Sequence, residues 1–93
     1  MGHLLIAGPD GTVRRVPLGP GDLMVGRSKT AELSFPEDAG LSRRHFRLIR
    51  EGNSWLVEDL GSKNGTFLND SAVKRPTPLR PGDRITAGHL TLT

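Results

Sequence analysis

The sequence predicts an all-β domain of short strands, and three observations carry that prediction. Several brief apolar runs are bounded by Gly, Pro, Asn or Asp at the spacing of a β-sandwich. Twelve glycines and seven prolines are spread along the chain, more than the usual share, which implies many turns. No window repeats apolar residues at i, i+3, i+4 and i+7, so no amphipathic helix competes with the strands. With 93 residues the chain can bury a small core but not an enzyme-sized cleft between domains, so residues 1–93 are expected to form a single domain, one module of a longer protein.

Taken in order, the chain begins with a hairpin. His3-Leu4-Leu5-Ile6-Ala7 and Thr12-Val13-Arg14-Arg15-Val16-Pro17-Leu18 flank the turn Gly8-Pro9-Asp10-Gly11. Gly19-Pro20-Gly21-Asp22 turns the chain into Leu23-Met24-Val25, which ends at Gly26-Arg27-Ser28, so Arg27 stands where strand gives way to loop. A short strand is expected around Glu32-Leu33-Ser34-Phe35, and Pro36 to Gly40 reads as loop. Leu41-Ser42-Arg43-Arg44-His45 leads into Phe46-Arg47-Leu48-Ile49-Arg50, whose alternation sends Phe46 and Leu48 to the core. Glu51 to Ser54 turns the chain into Trp55-Leu56-Val57-Glu58. Gly61 to Gly65 then forms a loop of small polar residues before Thr66-Phe67-Leu68. Brief apolar pieces around Val73 and Leu79 precede the turn Pro81-Gly82-Asp83, which opens into Arg84-Ile85-Thr86-Ala87 and a last strand, Leu90-Thr91-Leu92.

The absence of cysteine removes disulfides and thiolate chemistry and is compatible with cytoplasm, the expected location. Met1 to Ala7 has neither the basic region nor the length of a signal peptide, and no segment approaches a membrane span, so a membrane partner is not expected. Thirteen basic against ten acidic residues give a net charge of +3, with Arg43, Arg44, Arg47 and Arg50 crowded into one segment. An acidic partner fits that balance, and so does the plainer reading of arginines scattered over the outer face of a sheet.

Most catalytic readings fail on geometry. Ser42-x-x-His45 with Asp59 has the composition of a hydrolase triad, but a serine and a histidine three apart at the start of a strand diverge. Gly61-Ser62-Lys63-Asn64-Gly65-Thr66 lacks the G-x-x-x-x-G-K-[ST] pattern, and no helix follows to supply a dipole. His3, His45 and His89 show no ligand spacing, so no metal or other cofactor is expected. Trp55 and the three phenylalanines lie within strand patterns and are expected in the core rather than against nucleic-acid bases. What remains is a set of loops at strand ends offering Arg27, Ser42, Arg43, Lys63 and Asn64. A phosphomonoester, with about −1.5 to −2 charge and three strong acceptor oxygens, suits such guanidinium, hydroxyl and N–H groups.

Four blocks carry a resemblance to a known family. Gly26-Arg27; Leu41-Ser42-Arg43-Arg44-His45; Asp59-Leu60-Gly61-Ser62-Lys63-Asn64-Gly65-Thr66-Phe67-Leu68-Asn69; and Leu79-x-Pro81-Gly82-Asp83-x-Ile85 stand in the order and spacing of forkhead-associated (FHA) domains. The chain resembles this family over nearly its whole length. The resemblance implies an FHA-like β-sandwich of two twisted antiparallel sheets, about eleven short strands, with a phosphothreonine peptide bound by loops at one end. Carried over residue by residue, it implies Arg27 and Ser42 as phosphate ligands, with Arg43 and Lys63 beside them. It implies Asn64 as the residue that bonds the peptide backbone, and Gly26, His45 and Gly65 as framework. Lys63 departs from the family, where threonine is frequent. It stands equally as a solvated side chain or as a phosphate contact, since its long stem reaches the same anion. Arg43 is expected to face the peptide and Arg44 solvent, and His45 is expected to buttress two loops rather than act as acid or base. The implied partner is a threonine-phosphorylated protein, the product of a Ser/Thr protein kinase.

Two other classes stay open. A phosphate-independent scaffold would use a face of the sandwich for another protein or a second copy. Nonspecific nucleic-acid binding through the arginine cluster is the weakest reading, since no aromatic accompanies the four cations.

Overall fold

The computed structural model describes residues 2–8 and 10–93; Met1 and Pro9, named above in the opening segment and the first turn, lie outside the described residues. Among the described residues, eleven strands pack as two sheets. β1 (His3–Ala7), β2 (Val13–Pro17), β7 (Thr66–Leu68), β8 (Ser71–Ala72), β10 (Ile85–Ala87) and β11 (Leu90–Leu92) make a six-stranded sheet in the order β2-β1-β11-β10-β7-β8. β3 (Leu23–Gly26), β4 (Leu33–Ser34), β5 (Phe46–Glu51), β6 (Ser54–Asp59) and β9 (Thr77–Pro78) make a five-stranded sheet in the order β4-β3-β5-β6-β9. The expected all-β sandwich is the fold observed.

Period-two alternation builds the core. In β5, Phe46 and Leu48 are fully buried while Arg47 between them is exposed. In β6, which pairs with β5, Trp55 and Val57 also point inward, and Leu4 and Ile6 of β1 close the core from the other sheet. Each such side chain contributes about 1.5–3 kcal/mol by leaving water. The central hairpin is in register from Phe46↔Asp59 to Glu51↔Ser54, so its two-residue turn is Gly52-Asn53 and Ser54 belongs to the strand. Gly52 has φ +63°, which a tight hairpin turn requires.

Further details differ from expectation. β3 and β4 run parallel, Val25↔Leu33 and Gly26↔Ser34, although antiparallel sheets were expected. The pair is only two residues long, and the returning segment is pinned by the Glu32 carboxylate, which accepts the Met24 N–H at 3.0 Å. The brief apolar pieces expected around Val73 and Leu79 each follow a two-residue strand, with Val73 buried and Leu79 partly buried. Phe67 is not in the core: it is 36% exposed. Alternation in β7 turns Thr66 inward instead, where its hydroxyl donates to the Asp59 carboxylate at 2.7 Å.

Antiparallel pairing brings the end of β3, the start of β5, the end of β6, the start of β7 and the β10–β11 turn to one end of the sandwich. There the expected site residues fall. No helix among the described residues is long and apolar enough to cross a membrane.

Candidate functional site

Arg27 follows β3 directly. Gly26 before it is pressed against the neighbouring loop so closely that a Cβ would stand 2.1 Å from the Arg43 carbonyl oxygen, so only glycine fits. That approach lets the Arg27 N–H donate to the Ser42 carbonyl at 3.1 Å and the Ser28 N–H to that of Arg43 at 3.1 Å. The exposed Arg27 side chain is steadied through Nε, which donates to the Leu41 carbonyl at 2.7 Å; the two terminal nitrogens have no partner among the described residues and face solvent.

Ser42 links this loop to the one after β6. Its Oγ accepts the Lys63 N–H at 3.0 Å, so its hydroxyl proton remains to be donated outward. The backbone N–H of Lys63 is therefore already engaged, and its exposed ammonium is what that residue offers a ligand. Arg43 and Arg44 are both exposed, and Nε of Arg44 leans on the Met24 sulfur at 3.3 Å, away from the loops. Asn64 is exposed; its Nδ2 donates to the Gly40 carbonyl at 3.0 Å, leaving Oδ1 outward.

His45 lies beneath these groups with no exposure to water. Its Nδ1 accepts the Ser42 N–H at 3.0 Å and its Nε2 donates to the Gly65 carbonyl at 2.8 Å, partners that place the ring proton on Nε2. One imidazole thus ties the loop before β5 to the loop before β7. Both ring nitrogens are spent on backbone groups, and Ser42 Oγ is bonded by the Lys63 N–H rather than by the ring, so the serine–histidine pair has no catalytic geometry.

The loop after β6 is shaped by Asp59. Its Oδ2 accepts the N–H groups of Gly61 and Ser62 at 3.1 and 3.0 Å, and its Oδ1 accepts the hydroxyls of Ser62 and Thr66 at 2.5 and 2.7 Å. Burial pushes this carboxyl up, but the bonds from Ser62, Thr66 and Gly61 outweigh it and hold the group below the usual carboxylate range. The Ser62 Oγ in turn accepts the Gly65 N–H at 2.9 Å, and Gly65 takes φ +86°, where a side chain would be strained. This role of Asp59 was not among the expectations from the sequence, although an aspartate three residues before a serine at a strand end is a visible turn signal.

Of the four crowded arginines, Arg47 pairs across strands with Glu58 at 2.6 Å. Arg50 lies over the Trp55 ring and donates to the Gly19 and Gly52 carbonyls. The cluster is thus divided between a sheet face and the loop end, which weakens a nucleic-acid reading. Beside Asn64 a groove of about 440 Å³ runs between Gly40, Phe67 and the Gly88-His89 turn.

A family model described as the FHA domain matches residues 23–88. The FHA domain-containing protein FhaA of Mycobacterium tuberculosis is 39% identical over 80 residues, which cover 86% of this chain and 15% of that protein. FhaB of Mycolicibacterium smegmatis is 40% identical over 77 residues, covering 76% of this chain and 49% of that protein. The chain therefore spans less than half the length of these relatives. Among solved structures, one from a study of phosphothreonine-dependent FHA domain interactions superposes with a TM-score of 0.82 at 34% identity, covering 97% of this chain and 92% of the other. The FHA domain of FhaA in complex with the intracellular domain of Rv3910 superposes with a TM-score of 0.82 at 35% identity, covering 96% of each chain.

Proposed function

The chain belongs to the FHA domain family, and from that membership we propose that it is a module that reads phosphothreonine on a partner protein and carries no catalysis of its own. One observation carries this reading. Three loops are bonded to one another at a single place, through Arg27 N–H to Ser42, Lys63 N–H to Ser42 Oγ and His45 to Gly65. They leave the Arg27 guanidinium end, the Ser42 hydroxyl and the Lys63 ammonium turned to solvent.

A phosphate dianion meets a guanidinium fork and a hydroxyl there, and these charge-assisted bonds are about twice as strong as neutral ones. Because the loops are already fixed in the free protein, little ordering entropy opposes binding. In this reading Arg27 and Ser42 hold the phosphate, with Arg43 and Lys63 adding positive potential. Asn64 turns Oδ1 to the peptide backbone, and Gly26, His45 and Gly65 keep the loops in place. The partner is a threonine-phosphorylated protein made by a Ser/Thr protein kinase, met in the cytoplasm. Relatives that share the fold are named for such interactions: one structure for phosphothreonine dependence, another for its complex with an intracellular domain.

Phosphothreonine and phosphoserine present the same oxygens, so discrimination rests on the γ-methyl. Its burial is worth about 0.8 kcal/mol, and an unfilled cavity in the serine complex adds to the difference. The methyl also restricts χ1 before binding. Together these reach about 2 kcal/mol, or some thirtyfold. Calorimetry with peptide pools of degenerate flanks, matched except for phosphothreonine, phosphoserine, glutamate or threonine at the centre, tests the proposal. Phosphothreonine is expected to bind best, with glutamate and threonine undetected. Equal affinity for the unphosphorylated pool would refute phosphate reading, and equal affinity for phosphoserine would refute the methyl pocket.

A further inference from the structure

Asp38 is among the most buried charged groups described, 2% exposed, and it is not one of the residues assigned to the phosphopeptide. Its Oδ1 accepts the Gly40 N–H at 2.9 Å and the His89 Nδ1 proton at 2.7 Å, and its Oδ2 accepts the His89 N–H at 2.9 Å. One carboxylate thereby clasps the loop before β5 to the β10–β11 turn, 51 residues further on. Glycines permit the approach. A Cβ on Gly40 would stand 3.0 Å from the Gly88 Cα, and one on Gly88 would stand 3.0 Å from the Gly40 carbonyl carbon.

What the clasp holds is two carbonyl groups. Gly40, fixed through its N–H, offers its oxygen to Asn64 Nδ2 at 3.0 Å. Leu41, whose N–H donates to the Asp38 carbonyl at 3.1 Å, offers its oxygen to Arg27 Nε at 2.7 Å. Both side chains assigned to the phosphopeptide therefore take their orientation from adjacent peptide units anchored on one residue. We propose that Asp38 is a positioning residue of the phosphopeptide site: it aims Arg27 and Asn64 by fixing the Gly40 and Leu41 carbonyls, without touching the ligand. The inference rests on the reading of Arg27 and Asn64 as ligand contacts.

An asparagine at 38 has one acceptor oxygen and one NH2 facing three donors, so at least one bond of the clasp must break. The free protein reports this directly in NMR, through the Arg27 Nε–H and Asn64 side-chain amide signals. In Asp38→Asn both signals are expected to move, and the Arg27 Hε to exchange faster with water. Affinity for a degenerate phosphothreonine peptide pool should fall about tenfold, the scale of one charge-assisted bond redirected.

Asp83→Ala serves as the comparison. Asp83 also organises a turn by accepting bonds, from Arg80 N–H and Asn69 Nδ2, but outside the site. Its loss is expected to lower the melting temperature and leave the affinity within about twofold. Unmoved Arg27 and Asn64 signals with unchanged affinity in Asp38→Asn overturn the proposal, as does an equal loss of affinity in Asp83→Ala. Should Asp38→Asn fail to fold, Gly40→Ala displaces the same carbonyls without altering the carboxylate and is read in the same way. In the wild type the Arg27 Hε must be slow to exchange; a freely exchanging Hε refutes the clasp whatever the variants do. If the wild type binds no phosphothreonine peptide, the functional reading falls, while the NMR signals still decide whether Asp38 aims these two side chains.

Discussion

Replacing Arg27 separates binding from folding more sharply than any other change at the loop end. The side chain is exposed, and its only bond within the described residues is Nε to the Leu41 carbonyl at 2.7 Å. Water can replace that bond, so Arg27→Ala is expected to change stability by no more than about 0.5–1 kcal/mol. Binding should respond on another scale. Removing one partner of a desolvated charge pair costs about 2–5 kcal/mol, which is about thirtyfold to several thousandfold in Kd. A micromolar complex would move towards or beyond the millimolar range.

Arg27→Lys refines the argument. An ammonium keeps the charge but cannot both donate to Leu41 and present a planar fork, so an intermediate loss is expected, about five- to thirtyfold. Calorimetry with one phosphothreonine peptide, alongside thermal melts of the three proteins, gives both quantities. An alanine variant that melts like the wild type yet binds within about threefold of it would refute the assignment. A variant that loses binding only because it unfolds would refute the claim that Arg27 is peripheral to the core.

Two further outcomes follow from the buried polar groups. His45→Ala removes a fully buried ring and leaves the Ser42 N–H and Gly65 carbonyl unpartnered, which together should cost about 3–5 kcal/mol and roughly 15–30 °C in melting temperature; an unfolding free energy from denaturant titration that changes by less than about 1 kcal/mol would count against the buttress. Asp59 has its folded-state carboxyl held below the ordinary value of 3.8, so its contribution is complete above the unfolded pKa and is lost as pH falls through the folded one. Asp59→Asn should therefore destabilise the protein near neutrality by about 1–3 kcal/mol and make its acid limb shallower, the Asp10, Asp38 and Asp83 carboxyls still contributing theirs; denaturant titrations from neutral to acid pH in which the variant loses stability as steeply as the wild type would exclude it.

Much of the fold was legible because period-two alternation and turn chemistry are local signals. Phe46 and Leu48 could be sent inward from five residues of sequence, and Gly26-Arg27 and Ser42 to His45 could be placed at strand ends for the same reason. Phe67 shows where the signal stops. An aromatic in a strand pattern suggests burial, but its partner in alternation, Thr66, had a stronger reason to turn inward because Asp59 needed its hydroxyl. That preference is set by a residue in another strand. The β7–β8 hairpin was within reach: Asn69 and Asp70 both take positive φ, +49° and +70°, the conformation of a tight two-residue turn, and Asn-Asp is a weaker form of the usual Asn-Gly cue. The bond from His89 to Asp38 has no such cue, because nothing near either residue announces a partner half the chain away.

The strand order has a consequence in time. β11, the eleventh strand in sequence, lies between β1 and β10, so it joins the opening hairpin to the rest of the six-stranded sheet. Until it docks, β1 and β2 have no neighbour in that sheet beyond each other, and the Gly88-His89 turn that Asp38 grips is not closed. A chain emerging from synthesis can pair β3, β5 and β6 early, since those contacts are near in sequence, whereas closing the first strand onto the eleventh carries the largest loop entropy in the fold. The loop end is thus completed by the same event that completes the sandwich.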